Sequence, residues 1–133
     1  MKDKAFCDSN VLLYLLDKKD ERKLKAKEIL FNNPIISTQV INENINVAFK
    51  RLHLSKADIA VHIENLLIKC DVKIISTETI LLAYRIFSKY QYSYYDCLII
   101  AVALENDCRV LYSEDMQHNQ VIEKKLKIIN PFL

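Results

Sequence analysis

Short β-prone runs alternate with longer segments of helical period from one end of the chain to the other, and no other feature of the sequence restricts the fold as much. The runs fall at 4–7, 35–37, 72–76, 109–112 and 126–129. Between them, 21–31, 39–52, 56–69, 78–89 and 94–106 carry apolar residues at steps of three and four, as Ile41, Ile45, Ala48 and Leu52 do. Parallel strands need crossover connections, so this order predicts an α/β fold with five strands in a mainly parallel sheet flanked by helices. No internal repeat, low-complexity tract or Pro/Gly/Ser-rich linker divides the chain, and Pro34 and Pro131 sit beside strands. With 133 residues, 51% of them hydrophobic, the chain is of ordinary single-domain size and long enough to bury a core, so one domain over 1–133 is expected.

Several function classes drop out. Glycine is absent, which removes every phosphate cradle built on a glycine-rich loop, the dinucleotide fingerprint and the P-loop alike. The longest uninterrupted apolar run, 97–104, is far short of the roughly 20 residues that cross a bilayer. Asp3, Asp8 and Asn10 break the early apolar stretches and no small-residue cleavage site follows, so neither a membrane span nor a secretory leader is expected, and the cytoplasm is the expected compartment. Cys7, Cys70, Cys97 and Cys108 include no C-x-x-C pair, and His53, His62 and His118 are not spaced to complete a zinc site with them. Reduced, structural thiols are the expectation. A formal charge of +2 does not identify a nucleic-acid binder by itself.

The acidic residues carry more information. In an open α/β sheet, ligands gather beyond the carboxyl ends of the strands, which is where Asp8 and Asp115 fall. Asp8 follows Ala5-Phe6-Cys7, and Asp115 follows Val110-Leu111-Tyr112 across Ser113-Glu114. Each also has a structural explanation, Asp8 as the cap of a helix starting near Val11 and Asp115 as a turn residue. Asp96 stands three residues after Ser93 and directly before an apolar run, resembling a capping box with Asp in place of Glu. Its helix is apolar nearly all round, as a buried element would be. Glu43 sits opposite the Ile41, Ile45, Ala48, Leu52 stripe, the place of a solvated carboxylate, although Val40 and Val47 lie near it on that side. If the four acids meet, each pair at about 5 Å and an effective dielectric of about 20 costs on the order of 3 kcal/mol, so the cluster needs a cation. Oxygen-only ligands favour Mg²⁺ or Mn²⁺. With four of the 17 acids so neutralised, 19 Lys and Arg would face 13 remaining acids, a balance more attractive to a polyanion.

Phe6-Cys7-Asp8-Ser9-Asn10-Val11-Leu12, Ser37-Thr38-Gln39-Val40-Ile41-Asn42-Glu43, Tyr94-Tyr95-Asp96-Cys97-Leu98 with the apolar run behind it, and Leu111-Tyr112-Ser113-Glu114-Asp115-Met116-Gln117-His118 together resemble the PIN-domain family in order and spacing. More narrowly they are similar to the VapC-type toxins of bacterial toxin–antitoxin pairs. The resemblance implies Asp8, Glu43, Asp96 and Asp115 as metal-holding and catalytic acids, with Asn10 and Ser113 as supporting polar residues. It further implies a five-stranded parallel sheet, dependence on Mg²⁺ or Mn²⁺, endonucleolytic cleavage of RNA, a small antitoxin partner and a homodimer. Asn119 stands where relatives commonly have glycine, a change that a left-handed backbone tolerates.

A metal-activated water attacking phosphorus in line would leave a 5′-phosphate and a 3′-hydroxyl. Candidate phosphate contacts are Lys18, Lys19, Arg22, Lys23, Lys25, Lys27, Lys50 and Arg51, which would otherwise form solvated helix faces. Tyr90, Tyr92, Tyr94 and Tyr95 are candidates for stacking on splayed bases, or for packing at the start of a buried helix. Two other functions compete. A haloacid-dehalogenase-like phosphatase also sets a strand-end Asp beside Mg²⁺, but needs a second acid where this chain has Asn10. A PIN-like fold kept as a non-catalytic binding module is the other, and the intact set of acids argues against it.

Overall fold

The computed structural model describes residues 4–18 and 21–133. Its sheet is built outward from β1 (Ala5–Cys7), which lies between β2 (Ile35–Ser37) and β4 (Val110–Tyr112). β3 (Asp71–Lys73) pairs beyond β2 and β6 (Leu126–Ile129) beyond β4, and all of these pairings are parallel. The chain thus runs from β1 out to β3, then returns to the far side of β1 for β4. The strand order reverses between β1 and β4, the kind of switch point at which α/β sheets open a crevice.

Among the described residues the sheet has six strands rather than the expected five. β5 (Val121–Ile122) runs antiparallel against β6 at the edge, closed by a tight turn in which the Lys125 N–H donates to the Ile122 carbonyl at 3.0 Å. Its central residues, Glu123 and Lys124, both take positive φ, at 50° and 59°. Such turns are announced by Asn-Gly or Asp-Gly, so this glycine-free chain gives no signal for the hairpin. Asn119 takes φ 71°, the left-handed conformation that Asn tolerates where other side chains do so less readily.

Among the described residues six α-helices cover the sheet: α1 (Ser9–Leu13), α2 (Glu21–Phe31), α3 (Thr38–Lys50), α4 (Lys56–Lys69), α5 (Thr77–Lys89) and α6 (Tyr94–Glu105). β3 stops short of the expected residue 76 because Ser76 is committed to capping α5. Its hydroxyl accepts the Thr79 N–H and the Thr79 hydroxyl accepts the Ser76 N–H, both at 3.2 Å. At α6 only half of the expected capping box forms: Ser93 Oγ accepts the Asp96 N–H at 3.2 Å, while the Asp96 carboxylate makes no return bond to the Ser93 backbone. α6 is buried at every position from Cys97 to Ala103 and runs through the core with Phe6, Ile36, Leu111 and Ile128.

α3 turns a different face inward from the one its apolar stripe suggests. Val40, Asn44 and Ala48 are buried, whereas Ile45 and Leu52 from the stripe are exposed, together with Phe49. Glu43 therefore flanks the buried face instead of opposing it. No helix among the described residues is long and apolar enough to cross a membrane, and all four cysteines are free and buried.

Candidate functional site

Asp8 leaves the end of β1 with its N–H on the Tyr112 carbonyl at 2.9 Å, one more rung between β1 and β4. It caps α1, as expected, but the cap uses only part of its carboxylate. Oδ1 accepts the Ser9 N–H at 2.7 Å, and Oδ2 accepts the Ser113 hydroxyl at 2.9 Å and Asn10 Nδ2 at 3.4 Å. Every one of these donors is neutral. Burial raises the Asp8 pKa most, the bonds from Ser113 and Ser9 oppose it, and the charges of Asp96 and Asp115 add to the rise, which reaches about 6.

Asn10 ties two of the acids together. Its Nδ2 also donates to Asp115 Oδ2 at 2.9 Å, and its Oδ1 accepts the Glu114 N–H at 3.2 Å. One carboxamide thereby fixes the loop after β4 against the start of α1. Asp115 is exposed in that loop. Asp96, in the first turn of α6, has its pKa raised by burial first and then by the Asp115 charge, against a lowering bond from Ser93.

Glu43 joins the same group. Burial is the main cause that pushes its pKa up to about 7, followed by the charges of Asp8 and Asp96, with a hydrogen bond from Ser9 opposing and Asp115 adding a smaller push. The structure thus brings Asp8, Glu43, Asp96 and Asp115 within mutual electrostatic reach at the switch point, and no Lys, Arg or His among the described residues pairs with any of them. No three His, Cys, Asp or Glu side chains among the described residues close tightly enough to grip one ion unaided. The donors these four residues offer are all carboxylate oxygens, the type that suits Mg²⁺ or Mn²⁺. Mg²⁺ in particular takes one or two carboxylates and keeps several waters.

Two supporting residues escape the sequence. Asn44 is fully buried on α3, where its Nδ2 donates to the Val40 carbonyl at 3.1 Å and the Ser9 carbonyl at 3.4 Å. Its Oδ1 is left as an acceptor and lies 2.8 Å from His62 Nε2 on α4, so that nitrogen must carry the proton. Burial holds the His62 pKa below its ordinary value. The pair links α4 through α3 to Ser9, the residue between Asp8 and Asn10. An Asn at a helical step from Val40 and Ala48 is the only trace of it in the sequence, and nothing there identifies His62 as its partner.

The basic residues scatter. Arg22 reaches Glu114 at 3.7 Å and lies over the rings of Tyr14 and Phe132, which brings it to the loop carrying Asp115. Lys25 instead pairs with Glu28 at 3.4 Å and lines a cavity at the amino ends of β1, β2 and β3. Lys18, Lys23 and Lys27 lie at or near the surface, Lys50 and Arg51 are exposed two turns beyond Glu43, and Lys19 lies outside the described residues. Tyr94 and Tyr95 stand in edge-on ring contact at the start of α6, and Tyr94 also meets Phe87. Tyr90 and Tyr92 line a cavity beside Asp115.

The model of the PIN domain family matches residues 5–124. No curated protein matches the chain by sequence. Among solved structures, DNA-bound VapBC from Salmonella typhimurium is similar with a TM-score of 0.72 at 17% identity, over 96% of this chain and 97% of that one. A toxin–antitoxin complex from Klebsiella pneumoniae gives 0.71 at 19% identity, over 96% and 98%. VapC20 from Mycobacterium tuberculosis, described as a sarcin-ricin loop-cleaving toxin, gives 0.68 at 19% identity, over 84% and 90%. At these identities the likeness is one of fold.

Proposed function

Since the chain belongs to the PIN-domain family, we propose that it is a divalent-metal-dependent endoribonuclease and the toxin of a toxin–antitoxin pair. The observation that carries this function is the set of four carboxylates drawn from the residue after β1, from α3, from α6 and from the loop after β4 to the carboxyl ends of the strands, with no cation among the described residues to offset them. Its support for RNA as substrate is the toxin fold of the neighbours, one of them described as a sarcin-ricin loop-cleaving toxin.

Asp8, Glu43, Asp96 and Asp115 would hold Mg²⁺ or Mn²⁺. Such an ion, when bound, acidifies a water for attack on phosphorus and offsets the charge that develops on the phosphate. The chain's own contribution is positioning. Ser9, Ser113 and Asn10 hold the Asp8 carboxylate by hydrogen bonds that do not neutralise it, and Asn10 fixes Asp115 relative to it. α6 carries Asp96 on a helix that is locked in the core. Cleavage then leaves a 5′-phosphate and a 3′-hydroxyl.

A small antitoxin and a second copy of the chain are the proposed partners. Exposed apolar side chains on α5 and α6, Ile80, Leu81, Tyr84, Phe87 and Tyr95, supply the kind of surface such contacts use. The test of the catalytic function is cleavage of RNA by the purified chain with Mg²⁺ or Mn²⁺, followed by end analysis. The expected outcome is endonucleolytic products with 5′-phosphates, abolished by EDTA and by Asp96→Asn. Cleavage that persists in EDTA, or a fully active Asp96→Asn variant, would overturn it.

A further inference from the structure

A cavity of about 710 Å³ opens beside Asp115. One wall is the connection from α5 to α6, with Lys89, Tyr90, Gln91 and Tyr92; the other is the loop after β4, with Met116, Gln117 and Gln120. The chemistry of these walls is selective. Both tyrosine hydroxyls are already engaged: Tyr92 donates to Gln120 Oε1 and accepts the Gln117 N–H at 3.3 Å, while Tyr90 donates to Glu123 at 2.9 Å and accepts the Glu123 N–H at 3.1 Å. These bonds fix the tyrosines, whose rings pack in part on the core, with Lys89 Nζ 5.9 Å from the Tyr90 ring centroid, so that only the cavity-lining part of each ring is open to a ligand. The Lys89 ammonium is bound to Glu123 at 2.8 Å. With that charge offset and Asp115 on the rim, the cavity is poorly suited to an anion. Gln91 and Gln117, by contrast, are exposed, and their carboxamides have no partner among the described residues. Each offers paired donors and an acceptor, the set that matches the edge of a nucleobase.

Aromatic rings, uncommitted carboxamides and no free positive charge suit a planar, uncharged, hydrogen-bonding group. We propose that this cavity is a subsite for the unpaired base of a nucleotide adjoining the scissile phosphate, an inference that rests on the ribonuclease function above. Gln91 and Gln117 are assigned as the residues that read the base, and the substrate at this point is single-stranded RNA.

Two measurements test the subsite and separate its failure from that of the nuclease function. In the first, adenosine, guanosine, cytidine and uridine are titrated separately into the ¹⁵N-labelled full-length chain without metal, with inorganic phosphate as the comparison. At least one nucleoside is expected to shift the Gln91 and Gln117 side-chain amide signals, and phosphate to leave them in place. Nucleosides that move neither signal, or phosphate that moves both, would overturn the subsite whether or not the chain cleaves RNA. In the second, the double variant Gln91→Ala/Gln117→Ala is expected to lose about tenfold in kcat/KM on a short unpaired RNA. Its base preference at one position beside the cut should also relax, while hydrolysis of bis(p-nitrophenyl) phosphate, an ester without bases, stays at the wild-type level. Unchanged RNA cleavage with unchanged base preference, or an equal loss on the base-free ester, would exclude a base-reading role. Absence of hydrolysis in the wild-type chain would instead reject the catalytic function and leave the nucleoside titration to decide the subsite.

Discussion

The two ends of this sheet carry acids under opposite conditions. At the amino ends of β1, β2 and β3 a cavity of about 480 Å³ is lined by Glu28 and Asp71, and each has a lysine beside it, Lys25 at 3.4 Å and Lys73 at 3.2 Å. At the carboxyl ends Asp8, Glu43, Asp96 and Asp115 have only neutral hydrogen-bond donors and one another. Folding alone would favour the first arrangement. What distinguishes the ends is charge compensation. A carboxylate that folding leaves buried and uncompensated marks chemistry still to be done, whereas one with its own lysine is accounted for by the surface.

The largest expected contrast is in catalysis. Asp8→Asn should lower metal-dependent RNA cleavage by more than about a hundredfold, since even outer-shell partners of metal ligands are worth 10–100-fold. Asp71→Asn at the other end should leave the rate within about twofold. Rates measured at equal protein and Mg²⁺ decide it, and similar losses in both variants would erase the distinction between the ends.

Next is the scaffold beneath the acids. Asn44→Ala leaves the buried His62 Nε2–H without its acceptor and should destabilise the chain by about 2 kcal/mol in chemical denaturation. His62→Gln, which can present an N–H donor near the position of Nε2, should recover most of the stability that His62→Leu loses. Equal losses in those two variants would show that His62 acts by its volume alone.

A smaller effect belongs to pH. In metal-free protein the native state holds a proton on Glu43 up to about pH 7, whereas the unfolded chain releases it near the ordinary value of 4.5. The native state therefore binds more protons across that window, and its stability falls as pH rises through it. His62 works in the other direction, because burial keeps it neutral and unfolding lets it take a proton below its ordinary value of 6.5. Comparison of wild type with Glu43→Gln isolates the acid. The two should converge below about pH 4.5, and the variant should be more stable above pH 7 by about 1 kcal/mol, a figure discounted for the solvent that reaches a half-buried carboxylate. Added Mn²⁺ should stabilise wild type more than the variant. The smallest effect is expected at the paired end, where Lys73→Ala should change stability by less than about 0.5 kcal/mol because both partners of the Asp71 pair are substantially exposed.

Much of this organisation was legible in the sequence, and the exceptions have physical causes. Alternating periods reveal the sheet and its crossovers because each helix must cover a parallel pair, and Asp8 and Asp115 are conspicuous because Asp8 follows a β-prone run directly and Asp115 follows one after two residues. The stripe of α3 points to the wrong face because the helix has two apolar sides, and a fully buried Asn44, satisfied by His62 from a different helix, belongs to the inner one. Periodicity counts apolar residues and has no means of scoring a polar pair that satisfies itself. The β5–β6 hairpin leaves no mark in the sequence because Glu123 and Lys124 take a conformation that neither residue type advertises. The loop cavity lay hidden for a related reason: Gln91 and Gln117 are 26 positions apart and meet only through the fold.

α6 couples durability to chemistry. Asp96 sits at the mouth of a helix whose next seven residues, Cys97 to Ala103, are enclosed on all sides. Such a rod has no slack. Trimming Ile100, far from any phosphate, opens a void that the helix relaxes into, and the carboxylate at its tip shifts with it. If the proposed nuclease function holds, lesions deep in the hydrocarbon interior would thus surface as catalytic defects before the protein melts, so that a screen for lost RNA cleavage would recover greasy residues alongside the acids.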